Sequence, residues 1–107
     1  MTDNEKLARA KQRLDLVTAE NDSLLTGYLQ DASYFILSVT GQSTVPAQLD
    51  GLQVDIAVSN WAKRGAEGEA HHSEGGVTAI YESLSEAAKA LLRSQTLARV
   101  VNMNESP

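Results

Sequence analysis

The stretch that decides how this chain folds runs from Val54 to Tyr81, with the sequence VDIAVSNWAKRGAEGEAHHSEGGVTAIY. It begins as the most apolar run of the protein and passes through Gly65, a residue typical of a helix end. A polar, glycine-containing segment follows, and it closes with an apolar-polar alternation at 77–80 that predicts a strand. Long segments without helical periodicity in small domains are either disordered or functional. We therefore interpret residues 66–82 as an extended loop or β-hairpin-like segment that becomes ordered against a partner.

Two amphipathic helices are predicted ahead of this stretch. Thr2 to Glu5 has the spacing of a capping box, which marks the start of a helix. The second helix follows good N-cap residues at 21–23 and ends at Gly41. Apolar residues at helical spacing define one face of each helix. These faces are Leu7, Ala10, Leu14 and Val17 in the first helix, and Leu25, Tyr28, Leu29, Ala32, Phe35, Ile36 and Val39 in the second.

The third helix is predicted to lie at the centre of a bundle. Pro46 stands where the first helical residue would be, a position that suits its fixed φ and missing N–H. Two adjoining apolar stripes, Leu49-Leu52-Ile56 and Val54-Ala57-Val58-Trp61, imply a helix covered on more than one side. Lys63 and Arg64 suit the negative end of its dipole, and Gly65 would end it.

A last helix is predicted after the loop. Ser83 to Glu86 is a second capping-box match. The apolar positions that follow are Leu84, Ala87, Ala88, Leu91 and Leu92. Whether the helix continues past Ser94 stays open, and residues 102–107 should fray. The predicted fold class is therefore all-α, a small bundle of about four helices in one domain spanning residues 1–107.

Composition excludes several classes of protein. With no cysteine among its 107 residues, the chain has no disulfide and no thiolate nucleophile. No apolar run approaches membrane-spanning length and residues 1–11 are too polar for a signal peptide, so we expect a soluble protein that is cytoplasmic in the cell producing it. A net charge of −5 argues against gripping nucleic acid. The basic group Lys6, Arg9, Lys11 and Arg13 is interpreted as a solvated helix face.

Catalytic and metal sites are not indicated either. The two histidines, His71 and His72, are adjacent and have no third ligand at a recognised spacing, although Glu67, Glu69 and Glu74 lie nearby. The serines and aspartates do not form a nucleophile-base set. We expect no enzyme activity, no metal and no cofactor.

The third helix and the loop after it resemble a known family. The pattern is Ile56-Ala57-Val58, then Trp61, then Arg64-Gly65-Ala66-Glu67-Gly68, and after a fixed gap Ser73-Glu74-Gly75-Gly76-Val77. It is similar to the head-tail connector proteins of tailed bacteriophages, also called head-completion or adaptor proteins. The order of elements resembles that family over most of the chain.

The resemblance implies a structural role in the virion, at the interface of head and tail. Such proteins form a ring, usually dodecameric, beneath the capsid portal. They extend the channel through which the genomic DNA passes, without sequence-specific binding, and they present a docking surface for neck or tail proteins. The implied contacts with neighbouring subunits or the portal involve Trp61, Arg64, Gly65, Glu67, Gly68, Ser73, Glu74, Gly75, Gly76, Val77, Ile80 and Tyr81.

Two other functions remain open from the sequence. A small helical DNA-binding or regulatory protein would require a basic recognition helix, which the distribution of Lys and Arg does not offer. Another neck or tail-completion protein would share the structural class. Assembly takes place in the host cytoplasm under the connector reading, while the subunit number and the oligomeric state of the isolated chain are left open.

Overall fold

The computed structural model describes residues 1–67 and 76–96, and every regular element in these ranges is helical. The all-α prediction is confirmed. The elements are α1 (Asp3–Arg13), α2 (Asp22–Thr40), a 3₁₀ turn (Ala47–Leu49), α3 (Asp50–Glu67), α4 (Gly76–Ser83) and α5 (Glu86–Ser94).

The capping box predicted for α1 is present. The Thr2 hydroxyl accepts from the Glu5 N–H at 3.1 Å, and the Glu5 carboxylate accepts from the Thr2 N–H at 2.7 Å. That bond from the Thr2 backbone holds the pKa of Glu5 below its usual value. The box therefore satisfies two of the donors that a helix start leaves unpaired.

The predicted stripe of α1 is correct at its first three positions and wrong at Val17. The helix ends at Arg13, where Leu16 N–H donates to Lys11 O and Asp15 N–H to Gln12 O, a Schellman pairing. Asp15 takes the left-handed position of this motif, with φ of 58°. Because the chain leaves the helix there, Val17 is 92% exposed.

Helix α2 matches its prediction at both ends and along its face. It begins after Asn21 and ends at Gly41, whose φ of 76° is left-handed and whose N–H donates to Leu37 O. The side chain of Asn21 makes no capping bond. The predicted face is buried or half-buried throughout.

Helix α3 is the central element, and it packs against both α1 and α2. Its two predicted stripes are buried, with Val58 and Trp61 half-buried at the end of the second. Two predicted bounds need correction. Pro46 precedes a 3₁₀ turn rather than opening the helix, and the helix runs through Gly65 to Glu67. A glycine inside a helix costs about 1 kcal/mol, which is too little by itself to end one.

Residues 76–83 form a helix, so the strand predicted at Val77 to Ile80 is wrong. The alternation of apolar and polar residues there is too short to distinguish a strand from a helix. Val77, Ile80, Tyr81 and Leu84 recur at intervals of three, one and three residues, which is the helical period. The predicted extended segment 66–82 is therefore helical at both ends, and its middle, residues 68–75, lies outside the described residues.

The last helix starts two residues later than predicted. Ser85, not Ser83, is its N-cap, and the Ser85 hydroxyl accepts from the Ala88 N–H at 3.1 Å. Helix α5 ends at Ser94, so it does not continue through the next residues. Leu92 is fully buried and anchors α5 on α2, helped by Gln42, which donates to Gln95 O at 2.8 Å. The tail predicted to fray lies outside the described residues.

Candidate interface on α3 and α4

The structure divides the predicted interface residues between two helices. Trp61, Arg64, Gly65 and Glu67 lie on the last two turns of α3. Gly76, Val77, Ile80 and Tyr81 lie on α4. The remaining four, Gly68, Ser73, Glu74 and Gly75, lie outside the described residues. The two groups thus flank the same connection, at its beginning and at its end.

Trp61 lies at the edge of the core, as a half-buried residue. Its ring meets Tyr28 of α2 edge-on, with centroids 6.0 Å apart and planes at 71°. Such an edge-to-face contact adds about 1 kcal/mol to the burial of the two rings. Trp61 therefore stabilises the packing of the end of α3 against α2, which is a contact within its own chain.

Helix α4 carries an apolar stripe that is incompletely covered by residues 1–67 and 76–96. Val77, Ile80 and Tyr81 share one face at i, i+3 and i+4 spacing. Ile80 and Tyr81 are half-buried against the core, whereas Val77, one turn earlier, is 46% exposed. The stripe thus extends past the surface that packs against it.

Two cationic side chains of α5 contact Tyr81 and hold its ring in place. Arg93 donates to the Tyr81 hydroxyl at 3.2 Å, and Lys89 Nζ lies 5.4 Å from the centroid of the ring. Lys89 also pairs with Glu86 at 3.5 Å. A cation over an aromatic face contributes about 0.5–1 kcal/mol at an exposed site. These contacts couple the orientation of α4 to α5.

A small cleft of about 210 Å³ separates α3 from α4 and the start of α5. Ile56 and Ile80 face it from opposite sides, with Asn60 and Ser85 at polar positions. A second, larger cleft of about 630 Å³ lies between the start of α1, the middle of α2 and the connection to α3. Both polar and apolar side chains line the larger cleft.

The prediction that the basic group of α1 is a solvated face is wrong for the buried Lys6 and correct for Arg9 and Arg13, which are exposed, while Lys11 is half-buried. Lys6 is 7% exposed and donates to Gln53 Oε1 at 2.7 Å. Lys11 lies 2.8 Å from Asp22, and Arg13 donates to Asp55. The sequence contains a weak indication that Lys6 is buried, because Lys6 stands four residues before Ala10 and so shares its face of the helix.

Asp50 is the acidic centre of this group. It is 6% exposed and lies 3.3 Å from Lys6 Nζ and 2.6 Å from the Met1 amine. Burial, the largest single effect, opposes its ionisation, but the bonds from the amine and from Lys6 together outweigh it, so the pKa of Asp50 is lowered. Gln53 completes the network by donating to Leu29 O at 2.8 Å.

The described ranges add two negative findings. Residues 1–67 and 76–96 hold no group of three or more His, Asp or Glu side chains that could ligate a metal. None of their helices combines the length and apolar character that crossing a membrane demands. His71 and His72 lie outside these ranges.

Comparison with known proteins identifies the family. The family of phage gp6-like head-tail connector proteins matches the chain over residues 4–95, which cover the five described helices except for Asp3, the first residue of α1. The chain belongs to this family. It is accordingly a structural protein of a phage virion, as the resemblance on α3 and its following loop implied. Neither the curated proteins nor the solved structures gave a match.

Proposed function

We propose that this connector protein assembles as a ring, dodecameric in the virion, beneath the portal of the capsid. The ring extends the channel through which the genome passes and offers its far side to a neck or tail-completion protein. The family match over residues 4–95 is the observation that carries this proposal. In each subunit, residues 1–107 are proposed to form a single connector domain.

The contacts between subunits, and with the portal, are proposed to involve the end of α3, the connection after it and α4. The partly covered stripe of α4 supports this assignment. Val77 is 46% exposed although it shares a face with two half-buried residues, and a neighbour would complete its burial. Covering such a side chain would contribute about 1 kcal/mol per subunit contact.

The charge of the chain supports passage of DNA without binding to it. The net charge is −5, and three of the four cations of α1 are paired with aspartates. A DNA-binding alternative would need those cations for phosphates. The proposed partners are therefore other copies of the chain, the portal and a downstream tail component, with the virion as the final location and the host cytoplasm as the place of assembly.

Co-purification with the portal protein of the same phage tests the proposal. A deletion of residues 67–77 should abolish retention on the portal. Val77→Asp should reduce it at least tenfold, because the substitution places a charge on the uncovered stripe, and should leave the melting temperature within about 2 °C. Ala79→Asp, on the exposed opposite face of α4, is the matched control and should bind like the wild type. Wild-type protein that is folded yet never retained would contradict the proposal.

A further inference from the structure

Helix α1 is attached to the rest of the molecule through a small apolar face and three ion pairs. Ala10 is its one fully buried apolar side chain, and Leu7 and Leu14 are half-buried. By contrast, α2 and α3 bury four or more apolar residues each. With this small apolar face, the ion pairs add to the attachment of α1, the buried Lys6–Asp50 pair more than the two that are more exposed.

In all of these ion pairs, the positively charged side chain belongs to α1. The cations belong to α1, at Lys6, Lys11 and Arg13, and the carboxylates belong to the surface formed by α2 and α3, at Asp22, Asp50 and Asp55. We call this surface the α1 groove. The groove is acidic and α1 is basic, so the two are complementary whether or not they belong to the same chain.

The connection between α1 and α2 is suited to releasing the helix. It spans residues 14–21, long enough to reach about 26 Å when extended. Asp15 holds a left-handed φ of 58°, which costs a non-glycine residue about 1 kcal/mol. Val17 is 92% exposed, so its side chain contributes little to the packing of the described residues. Straightening this connection gives up the packing of Leu14 and Leu16 and the two backbone bonds of the Schellman pairing, which docking on a second copy would have to restore.

We propose that α1 is an exchangeable arm that docks in the α1 groove of a neighbouring copy when the protein assembles. This inference rests on the proposed self-association. Exchange of an element between identical subunits reuses contacts that are already complementary, so the cost lies almost wholly in the connection. The occupant of each groove is then the α1 helix of a second copy, held by the same ion pairs.

Charge reversal in two separate variants tests the exchange. The arm variant carries Lys11→Glu and Arg13→Glu, and the groove variant carries Asp22→Lys and Asp55→Lys. Each alone places like charges between α1 and its own groove. When the two are mixed, exchange pairs the reversed arm with the reversed groove and the natural arm with the natural groove. Without exchange, mixing the two variants creates no new ion pairs.

The expected result is that the mixture assembles on the portal at least tenfold better than either variant alone, with both masses in one particle by native mass spectrometry. A single chain with all four reversals can form the reversed ion pairs within itself. Its melting temperature measures how much stability those reversed pairs restore. Arg9→Glu, whose side chain makes no ion pair within residues 1–67 and 76–96, controls for net charge.

A mixture no better than its separate components, beside a wild type that forms rings, would overturn the exchange and leave the connector function intact. A wild type that forms no ring on the portal would overturn the proposed function, and the exchange with it.

Discussion

Asp50 is the residue on which the attachment of α1 depends most. It contacts Lys6 and the Met1 amine while nearly buried. Asp50→Ala leaves the ammonium of Lys6 buried with Gln53 as its remaining protein acceptor, so we expect a loss of about 3 kcal/mol in the free energy of unfolding. Urea denaturation measures it, and Asp31→Ala at an exposed site is the control. A loss below 0.5 kcal/mol would show that the network contributes little.

The same carboxylate makes stability depend on acid pH. Since the pKa of Asp50 in the folded protein lies below its ordinary 3.8, the unfolded chain binds the proton more readily. Its contribution is complete above about pH 4 and disappears as the pH falls through the lowered value. Melting temperatures from pH 5 to 2 should therefore fall more steeply in the wild type than in Asp50→Asn. Parallel curves would contradict this account.

Asp15 occupies a backbone conformation that favours glycine. With φ at 58°, Asp15→Gly should raise the free energy of unfolding by about 0.5–1 kcal/mol, because the side chain no longer strains the left-handed position. Thermal denaturation measures the gain. Gln12→Gly, in the helical part of α1, should instead lower stability by a similar amount. A decrease for both would show that Asp15 makes a contact worth more than its strain.

At the scale of elements, two serines are candidates for the N-cap of α5, and substituting each of them distinguishes the two. Ser85→Ala should cost about 1 kcal/mol, because the Ala88 N–H loses its acceptor. Ser83→Ala should cost less than 0.5 kcal/mol, since that hydroxyl is exposed and donates to Ile80 O within α4. Chemical denaturation of both variants decides the matter, and equal losses would favour a helix start at Ser83.

Prediction from the sequence was most accurate for helices that have a long apolar face and a residue that clearly marks the helix end. Helix α2 is such a case, with a glycine at Gly41 whose left-handed φ ends it. Helix α4 was missed because eight residues give too few positions to separate a period of two from one of 3.6. The pairing of Lys6 with Gln53 could not be predicted, because it joins residues 47 apart and depends on how α1 and α3 pack.

At the scale of the whole molecule, the candidate interface was implied by the resemblance of a local stretch of residues to the connector family. The structure places its described members at the end of α3 and on α4, where Ile80 and Tyr81 also serve the core of their own chain. Sequence patterns do not separate these two uses, because an apolar side chain at helical spacing suits either surface. Val77 is the described member whose exposure favours a partner.

The central claim is that this chain forms a connector ring under the portal. Negative-stain imaging of the protein mixed with purified portal rings of the same phage tests it most directly. The account predicts a second ring of density, coaxial with the portal and continuing its channel, which Val77→Asp weakens and Ala79→Asp preserves. Portal rings that stay unchanged, at concentrations where circular dichroism shows the protein to be folded and helical, would contradict it.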